Sequence, residues 1–290
     1  MNFQQMVANR QRENLLKHDR IVFSILLAHL PVTMFLIPIG YDTQIFAVVA
    51  SLLVALAAAA GYYLARGSRW FGVLSGVLLM SFSAIMIQTQ MGRIEMHFHI
   101  FGALALLLIY RDWLAIVAAA GAIALHHLLF TALQLNAAQL GDMPLMIYNY
   151  GCSWGIAFLH AAFVVFESAI LVYYALLMKK EEISGLQLIA AVTEVHRQND
   201  LSIRLPRDDK NQAACAFNNM MDKFDGLISQ LGTASHELEI TARELNVNNQ
   251  ETSENIAIQH DQIAEAATAM SEMTNTIHSV AQNSQQASVS

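Results

Sequence analysis

The segment from Arg93 to Tyr110, RIEMHFHIFGALALLLIY, decides how the rest of this sequence is interpreted. It is apolar enough to enter a lipid bilayer, yet Glu95, His97 and His99 stand near its start. Ionisable groups inside hydrocarbon are costly, and they normally face protein, water or a ligand. The segment therefore predicts a membrane-spanning helix that carries part of a functional site.

Apolar stretches of similar length precede and follow this segment. The chain is 55% hydrophobic and only 13% charged, which is too apolar for an ordinary soluble protein. A bilayer core accommodates about 20 apolar residues per helix. We therefore expect an all-α membrane protein with six spans, at 21–40, 44–65, 70–90, 93–110, 113–135 and 152–178.

The distribution of Lys and Arg predicts the orientation of these spans. If the N-terminus is inside, only Arg93 lies on the outer side. The positive-inside rule then places both termini in the cytoplasm. The polar, basic segment 1–20 is expected to be an amphipathic cytoplasmic helix on the membrane surface or a solvated leader. The net charge of -7 argues against nucleic-acid binding.

Histidines recur in the neighbouring spans at a common depth. At about 1.5 Å per helical residue, those of four different helices lie roughly 9 to 15 Å from the outer end of each span. Chance placement would scatter them through the whole membrane. We therefore expect one layer of imidazoles in the outer half of the bundle. The residues expected in or near this layer are His99, His126, His127, His160, Glu95, His97 and His29.

Such a layer predicts a metal or haem site. Neutral imidazole binds copper, zinc and iron, and nearby carboxylates serve as ligands or as their partners. His99, one of His126 and His127, and His160 are the expected ligands, with Glu95 as a possible fourth. Two of the histidines could instead hold a b-type haem. Hydrogen bonds that join helices, or a metal-free proton or quinone relay, also account for the same residues.

Two polar stripes accompany the histidines. Ser153, His160, Glu167 and Tyr174 recur every seven residues along the last span. Gln134 continues a similar stripe on the fifth span. Polar stripes of this kind normally face the interior of a bundle. We expect Glu167, Tyr174 and Gln134 to support the ligands or to relay their state.

The apolar residues end near Met178, and a polar region follows. Two helical patterns, at 181–196 and 208–231, flank an extended connector at 197–206. With NDLSIRL at 199–205 and AFNNM at 216–220, this region resembles a HAMP signal-relay module. The resemblance implies a four-helix bundle formed by two chains.

Two features of this region depart from the HAMP pattern. Its first helix has no proline near its start, and DDKNQ at 208–212 replaces the usual Asp-Glu-rich motif. These departures bear on how a HAMP bundle would change between its signalling states, and not on whether the bundle forms.

From Leu231 onward, a seven-residue spacing predicts a coiled coil with many small and polar seam residues. The segment 256–288, IAIQHDQIAEAATAMSEMTNTIHSVAQNSQQAS, closely resembles the descending methylation helix of methyl-accepting chemotaxis receptors. The resemblance implies a homodimeric receptor of the bacterial inner membrane, with reversible methylation at Glu265 and Glu272. It also implies a chemotaxis kinase and a coupling protein as partners of a full-length receptor. The contact tip and returning helix of that family are absent before Ser290, so a truncated receptor is expected.

These observations predict four parts: a cytoplasmic segment at 1–20, a sensor domain in membrane lipid at 21–178, a HAMP-like relay at 179–231 and a coil at 232–290. The expected function is that of a transmembrane chemoreceptor that senses a metal, haem or redox signal, and not that of an enzyme. The alternative is a haem or metal redox protein of the membrane, either an electron carrier or an oxidoreductase, that its coil merely dimerises.

Overall fold

The computed structural model describes residues 3–206 and 211–287, and these residues form an all-α protein. The one exception within them is a short antiparallel hairpin of β1 (Gln139–Leu140) and β2 (Met143–Pro144). The fold class predicted from hydropathy is thus confirmed at the level of helical architecture.

Five of the described helices are long and apolar enough to cross a membrane, which is the pattern of a membrane protein. Each overlaps one of the six predicted spans, but α1 begins 18 residues before the span predicted at 21–40, and α6 continues 20 residues beyond the span predicted at 152–178. The first, α1, is continued to Leu36 by a π-helical turn and is not interrupted near residue 20. Their bounds are Phe3–Pro31 for α1, Gln44–Ala65 for α2, Arg69–Thr89 for α3, Trp113–Leu135 for α5 and Trp154–Gln198 for α6.

The remaining apolar segment, Ile94–Tyr110, is shorter and irregular. It consists of a 3-10 turn at Ile94–His97, the helix α4 at Phe98–Leu106 and a second 3-10 turn at Leu107–Tyr110. Because a 3-10 turn has about three residues per turn, it rotates side chains away from the positions they would have on an ideal α-helix. This irregularity determines which histidines of the segment meet the rest of the bundle.

The helix α3 lies at the centre of the membrane part and packs against α2 and α5. Most of its length is buried. Small residues permit this packing: a Cβ atom on Gly76 would lie 2.7 Å from the backbone oxygen of Ala115 on α5. The other helices surround α3 and expose apolar side chains on their outer faces.

A polar cluster joins α1 and α6 to the turn before α5, at the end of the bundle predicted to be cytoplasmic. The carboxylate of Glu182 on α6 accepts a hydrogen bond from Asn14 of α1 at 3.0 Å. It also pairs with Lys179 at 3.2 Å and with Arg111, in the turn before α5, at 3.6 Å. Burial raises the pKa of Glu182, but the Asn14 hydrogen bond and the two cations together bring it below its usual value. The ionised carboxylate therefore links three parts of the bundle.

After Gln198 the chain leaves α6 and forms an extended connector. Asn218, near the start of α7 (Gln212–Ala287), holds this connector through both backbone groups of Leu205. Its Oδ1 accepts from the Leu205 nitrogen at 2.9 Å, and its Nδ2 donates to the Leu205 oxygen at 3.0 Å. Within the motif 208–212, positions 208–210 lie outside the described residues.

The chain consists of two compact units, Met1–Asn219 and Met220–Ser290. In the described part of the second unit, α7 is a single uninterrupted helix. Its large seam residues are 59–71% exposed: Leu231, Leu238, Leu245, Ile256, Ile263, Met270, Met273 and Ile277 fall in this range.

Candidate functional site

Three imidazole rings from three different segments meet near the end of the bundle predicted to be the outer one. His97 comes from the first 3-10 turn, His127 from α5 and His160 from α6. The His97 ring centroid lies 5.4 Å from that of His127 and 5.4 Å from that of His160, and the latter two are 6.2 Å apart. We refer to these three residues as the histidine cluster.

Each ring of the cluster is oriented by its own backbone. The Nδ1 atoms of His97, His127 and His160 lie 3.3, 3.0 and 3.0 Å from carbonyl oxygens four residues earlier. A neutral imidazole that donates from Nδ1 carries its lone pair on Nε2. The Nε2 of His97 is buried and has no hydrogen-bond partner within the described part of the chain. With Nδ1 as the donor in each ring, the cluster presents three Nε2 lone pairs, and that of His160 lies 3.4 Å from the hydroxyl of Tyr150.

The ring of Tyr148 closes the outer side of the cluster. It is fully buried and stacks on His97 with the ring centroids 5.8 Å apart, and it lies 5.0 Å from His160. Gln134 holds the backbone here: its Oε1 accepts from the nitrogens of Ile147 and Tyr148 at 2.7 and 3.1 Å. Its Nε2 donates to the Tyr148 oxygen at 2.7 Å. Gln134, predicted as a supporting residue, therefore acts by positioning Tyr148.

Gly92 allows the loop that precedes α6 to approach the bundle closely. Gly92 has a φ of +75°, and a Cβ atom on it would lie 2.6 Å from the nitrogen of Tyr148. The oxygen of Gly92 accepts from the nitrogen of Asn149 at 3.1 Å. A second glutamine, Gln88, ties the loop to α3, because it donates to the Pro144 oxygen at 2.8 Å. Sequence reasoning missed Tyr148 and Gly92, since periodicity predicts no direction for residues outside regular helices.

His99 and His29 lie together in a separate pair. Their Nε2 atoms are 2.9 Å apart. The His99 Nδ1 lies 2.7 Å from the hydroxyl of Ser83, and the His29 Nδ1 lies 2.7 Å from the oxygen of Ile25. One continuous chain of donors satisfies all four groups: Ser83 donates to His99, His99 to His29, and His29 to the carbonyl. The structure thus brings His97, and not His99, to His160.

His126 points away from the cluster, as adjacent histidines on a helix must. Its Nδ1 is 3.5 Å from that of His127, and its ring packs on Phe130 with the centroids 4.2 Å apart. It lines a separate cavity of about 350 Å³ between α2, α3 and α5. Glu95 also lies apart, because it forms an exposed ion pair with Arg93 at 3.0 Å.

The other predicted residues are less closely associated with the cluster. Glu167 is half-buried on α6, and its Oε2 has no hydrogen-bond partner among the described residues. Tyr174 is exposed two turns further along the helix. Glu265 and Glu272 are both exposed on α7.

The described residues contain no group of three or more His, Cys, Asp or Glu side chains already within coordination distance of one point. The histidine cluster approaches this arrangement without reaching it. No protein-family model, no curated protein and no solved structure matches this chain. Its function is therefore to be inferred from the cluster and from the helix that leads away from it.

Proposed function

We propose that this protein is a transmembrane signal transducer of the chemoreceptor type, whose histidine cluster binds a transition-metal ion. One observation carries the proposal: His160 lies on the same uninterrupted helix that runs through the bundle to Gln198. Gln198 lies 38 residues after His160, a rise of about 57 Å at 1.5 Å per residue. A displacement at the cluster can therefore be transmitted along α6 without crossing a loop.

The donor set of the cluster suits a metal ion. Metal-bound histidines usually donate their other ring nitrogen to a carbonyl or carboxylate, and the cluster has three such Nδ1 contacts. With metal–nitrogen bonds of about 2.0–2.1 Å, three imidazoles around one ion have ring centroids about 5–5.5 Å apart. Two of the three centroid distances are 5.4 Å and the third is 6.2 Å. A small rotation of His127 or His160 would complete the site.

The distance between His29 and His99, and the size of the cavity beside the cluster, favour a simple ion over a b-type haem. An iron between two axial imidazoles separates their nitrogens by about 4 Å, twice a bond of about 2 Å. The Nε2 atoms of His29 and His99 are only 2.9 Å apart, which is a hydrogen-bond distance. The cavity beside the cluster has a volume of about 270 Å³, at the lower limit of small-molecule sites. Zinc, copper and iron are the ions that neutral imidazole prefers.

The exposed seam of α7 supports a homodimer as the signalling unit. Residues such as Leu238 and Ile263 are 71% and 69% exposed in a single chain, and a parallel partner would cover them. In this proposal the connector and Asn218 form the relay between α6 and α7. Methylation at Glu265 and Glu272 would bias the same coil, and the kinase and coupling protein would act on a full-length receptor.

A sensor must bind its ligand differently in two arrangements, since ligation that is equal in both transmits nothing. In the proposal these arrangements differ in the position of α6, because His160 belongs to α6 whereas His97 and His127 belong to other segments. Metal binding would then draw α6 toward α5 by closing the longest distance of the cluster. A coupling of about 1–3 kcal/mol is typical of allosteric proteins.

The test uses the full chain in lipid nanodiscs. We expect elemental analysis to find about one metal ion per chain, which His127→Ala and His160→Ala should each lose. His29→Ala is the matched control, because it removes a half-buried histidine outside the cluster and should retain the metal. An absorption spectrum of bound haem in the purified protein would contradict the assignment of a simple ion.

Signal transmission is measured separately. A spin label at the exposed position Val192, in a chain whose two native cysteines are replaced by serine, reports the distance between the two copies. Removal of the metal should change this distance in the wild type but not in His160→Ala. A wild-type protein that binds no zinc, copper or iron would refute the proposal. So would a distance between the spin labels that is the same with and without the metal.

A further inference from the structure

We infer that the cavity beside the histidine cluster binds a small, neutral, lipid-soluble molecule that enters from the hydrocarbon of the membrane. The inference extends the proposed function by naming the class of ligand that reaches the cluster. The cavity lies between α4 and α6 and has a volume of about 270 Å³. All three imidazoles of the cluster line it, and the rest of its lining is apolar.

The opening of the cavity faces lipid. Phe98 on α4 is 65% exposed, and Leu159 and Phe163 on α6 are 58% and 59% exposed. Leu159 and Phe163 belong to a helix long enough to cross the membrane, and Phe98 belongs to the shorter apolar segment beside it, so we expect all three side chains to contact acyl chains. A molecule dissolved in the bilayer would meet the cavity between these residues.

Access from water is closed by the loop that precedes α6. Ile147 and Tyr148 are fully buried, and Gln134 fixes their backbone to α5. Gln88 fixes the preceding residue of the loop to α3, because it accepts from the Met146 nitrogen. The close contact of Gly92 with Tyr148 leaves no gap at this point. A ligand therefore reaches the cluster through the apolar opening between α4 and α6, and not through the outer loop.

The size and lining of the cavity define the chemical class of the ligand. An apolar cavity of about 150 Å³ is large enough to bind benzene. About 270 Å³ therefore holds one six-membered ring with a short substituent. Among the described residues that line the cavity there is no Asp, Glu, Lys or Arg, so a charged ligand would lose its hydration without gaining a counter-charge. The only polar groups available to the ligand are the imidazoles and an ion that they hold.

The position of the cavity brings this ligand into contact with α6, the helix proposed to transmit the signal. Its walls come from α4 on one side and from Leu159, Phe163 and Val164 of α6 on the other. A molecule that fills it would press on α6 within one turn of His160. Occupancy of the cavity and ligation of His160 thus act on the same helix.

Photoaffinity labelling of the full chain in nanodiscs tests this inference. The probe is 3-trifluoromethyl-3-phenyldiazirine, a neutral aromatic molecule that partitions into lipid. We expect labelling of α4 and α6 residues around the cavity to saturate with probe concentration, whereas labelling of lipid-facing residues should rise linearly. Excess toluene should suppress the saturable part, and excess sodium benzoate should not.

Two adjacent valines provide a matched pair of variants. Val164 lines the cavity and is 7% exposed, whereas Val165 faces outward and is 66% exposed. Val164→Phe should fill the cavity and reduce saturable labelling at least fivefold, and Val165→Phe should leave it unchanged. Circular dichroism confirms that each variant is folded. If Val164→Phe does not fold, toluene competition in the wild type decides the question.

Labelling that is only linear, or that Val164→Phe leaves unchanged in a folded protein, would overturn the inference. Metal content is measured on the same samples and separates the two proposals. Saturable labelling of a metal-free protein would refute the metal site while supporting the cavity. A metal-loaded protein without saturable labelling would refute the cavity while leaving the metal site intact.

Discussion

Gln134 is the side chain whose removal should most selectively open the outer side of the histidine cluster. It accepts hydrogen bonds from the nitrogens of Ile147 and Tyr148 and donates one to the Tyr148 oxygen. The proposed substitution is Gln134→Met, which preserves the length of the side chain and removes all three hydrogen bonds. The helix α5 should persist, because Met is a good helix former.

The expected cost follows from the burial of these backbone groups. A buried donor or acceptor left without a partner costs about 1–3 kcal/mol. Three groups lose their partner here, and partial relaxation of the loop toward water reduces the sum to about 3 kcal/mol. Since about 1.4 kcal/mol corresponds to a factor of ten, the loop should open roughly a hundredfold more often.

Hydrogen–deuterium exchange measured by mass spectrometry detects this opening directly. The amide groups of 145–150 should exchange roughly a hundredfold faster in Gln134→Met, because exchange follows local opening. Asn136→Ala is the control: its side chain, at the end of α5, donates to the Ala132 oxygen of that helix, and the substitution should leave the loop protected. Equal protection of the loop in wild type and Gln134→Met would show that Gln134 does not hold Tyr148 in place.

Three further predictions concern other parts of the chain. Gly92→Ala should lower the apparent melting temperature much more than Gly141→Ala, because both have positive φ but only the first Cβ would clash with a backbone. Asn218→Ala should cost about 2 kcal/mol through two lost hydrogen bonds, and exchange of amides 201–205 should rise relative to the exposed control Asn219→Ala. The lowered pKa of Glu182 means that its stabilising effect is present above the unfolded-state value and is lost as the pH falls through the folded-state value. The melting-temperature difference between wild type and Glu182→Gln should therefore persist at neutral pH and shrink only below about pH 4.3.

Each of these three predictions has a result that contradicts it. Equal melting temperatures for the two glycine variants would show that the loop near residue 92 tolerates a side chain. Unchanged exchange in Asn218→Ala would remove this residue from the relay. A melting-temperature difference for Glu182→Gln that is independent of pH down to 3 would show that its charge does not link the helices.

Sequence by itself determined the helical architecture and the positions of the five long apolar helices, although not the start of α1 or the end of α6. Runs of about 20 apolar residues are a local property, and local composition decides whether a segment can be buried in lipid. His160 and one of His126 and His127 were also predicted to share a site, because regular α-helices place them at a similar depth in the membrane. The seam of α7 follows from the same kind of periodicity, while its partner remains a prediction.

Only the tertiary structure decided which histidines meet. The sequence predicted His99 as a ligand and placed His97 only in or near the same layer. The 3-10 turn at Ile94–His97 changes the residues per turn, so that His97 joins the cluster and His99 pairs with His29. Tyr148 enters the same site through a loop held by Gln134 and Gly92, which are distant from it in sequence. The direction of a side chain outside a regular helix depends on such long-range contacts, and no local pattern encodes them.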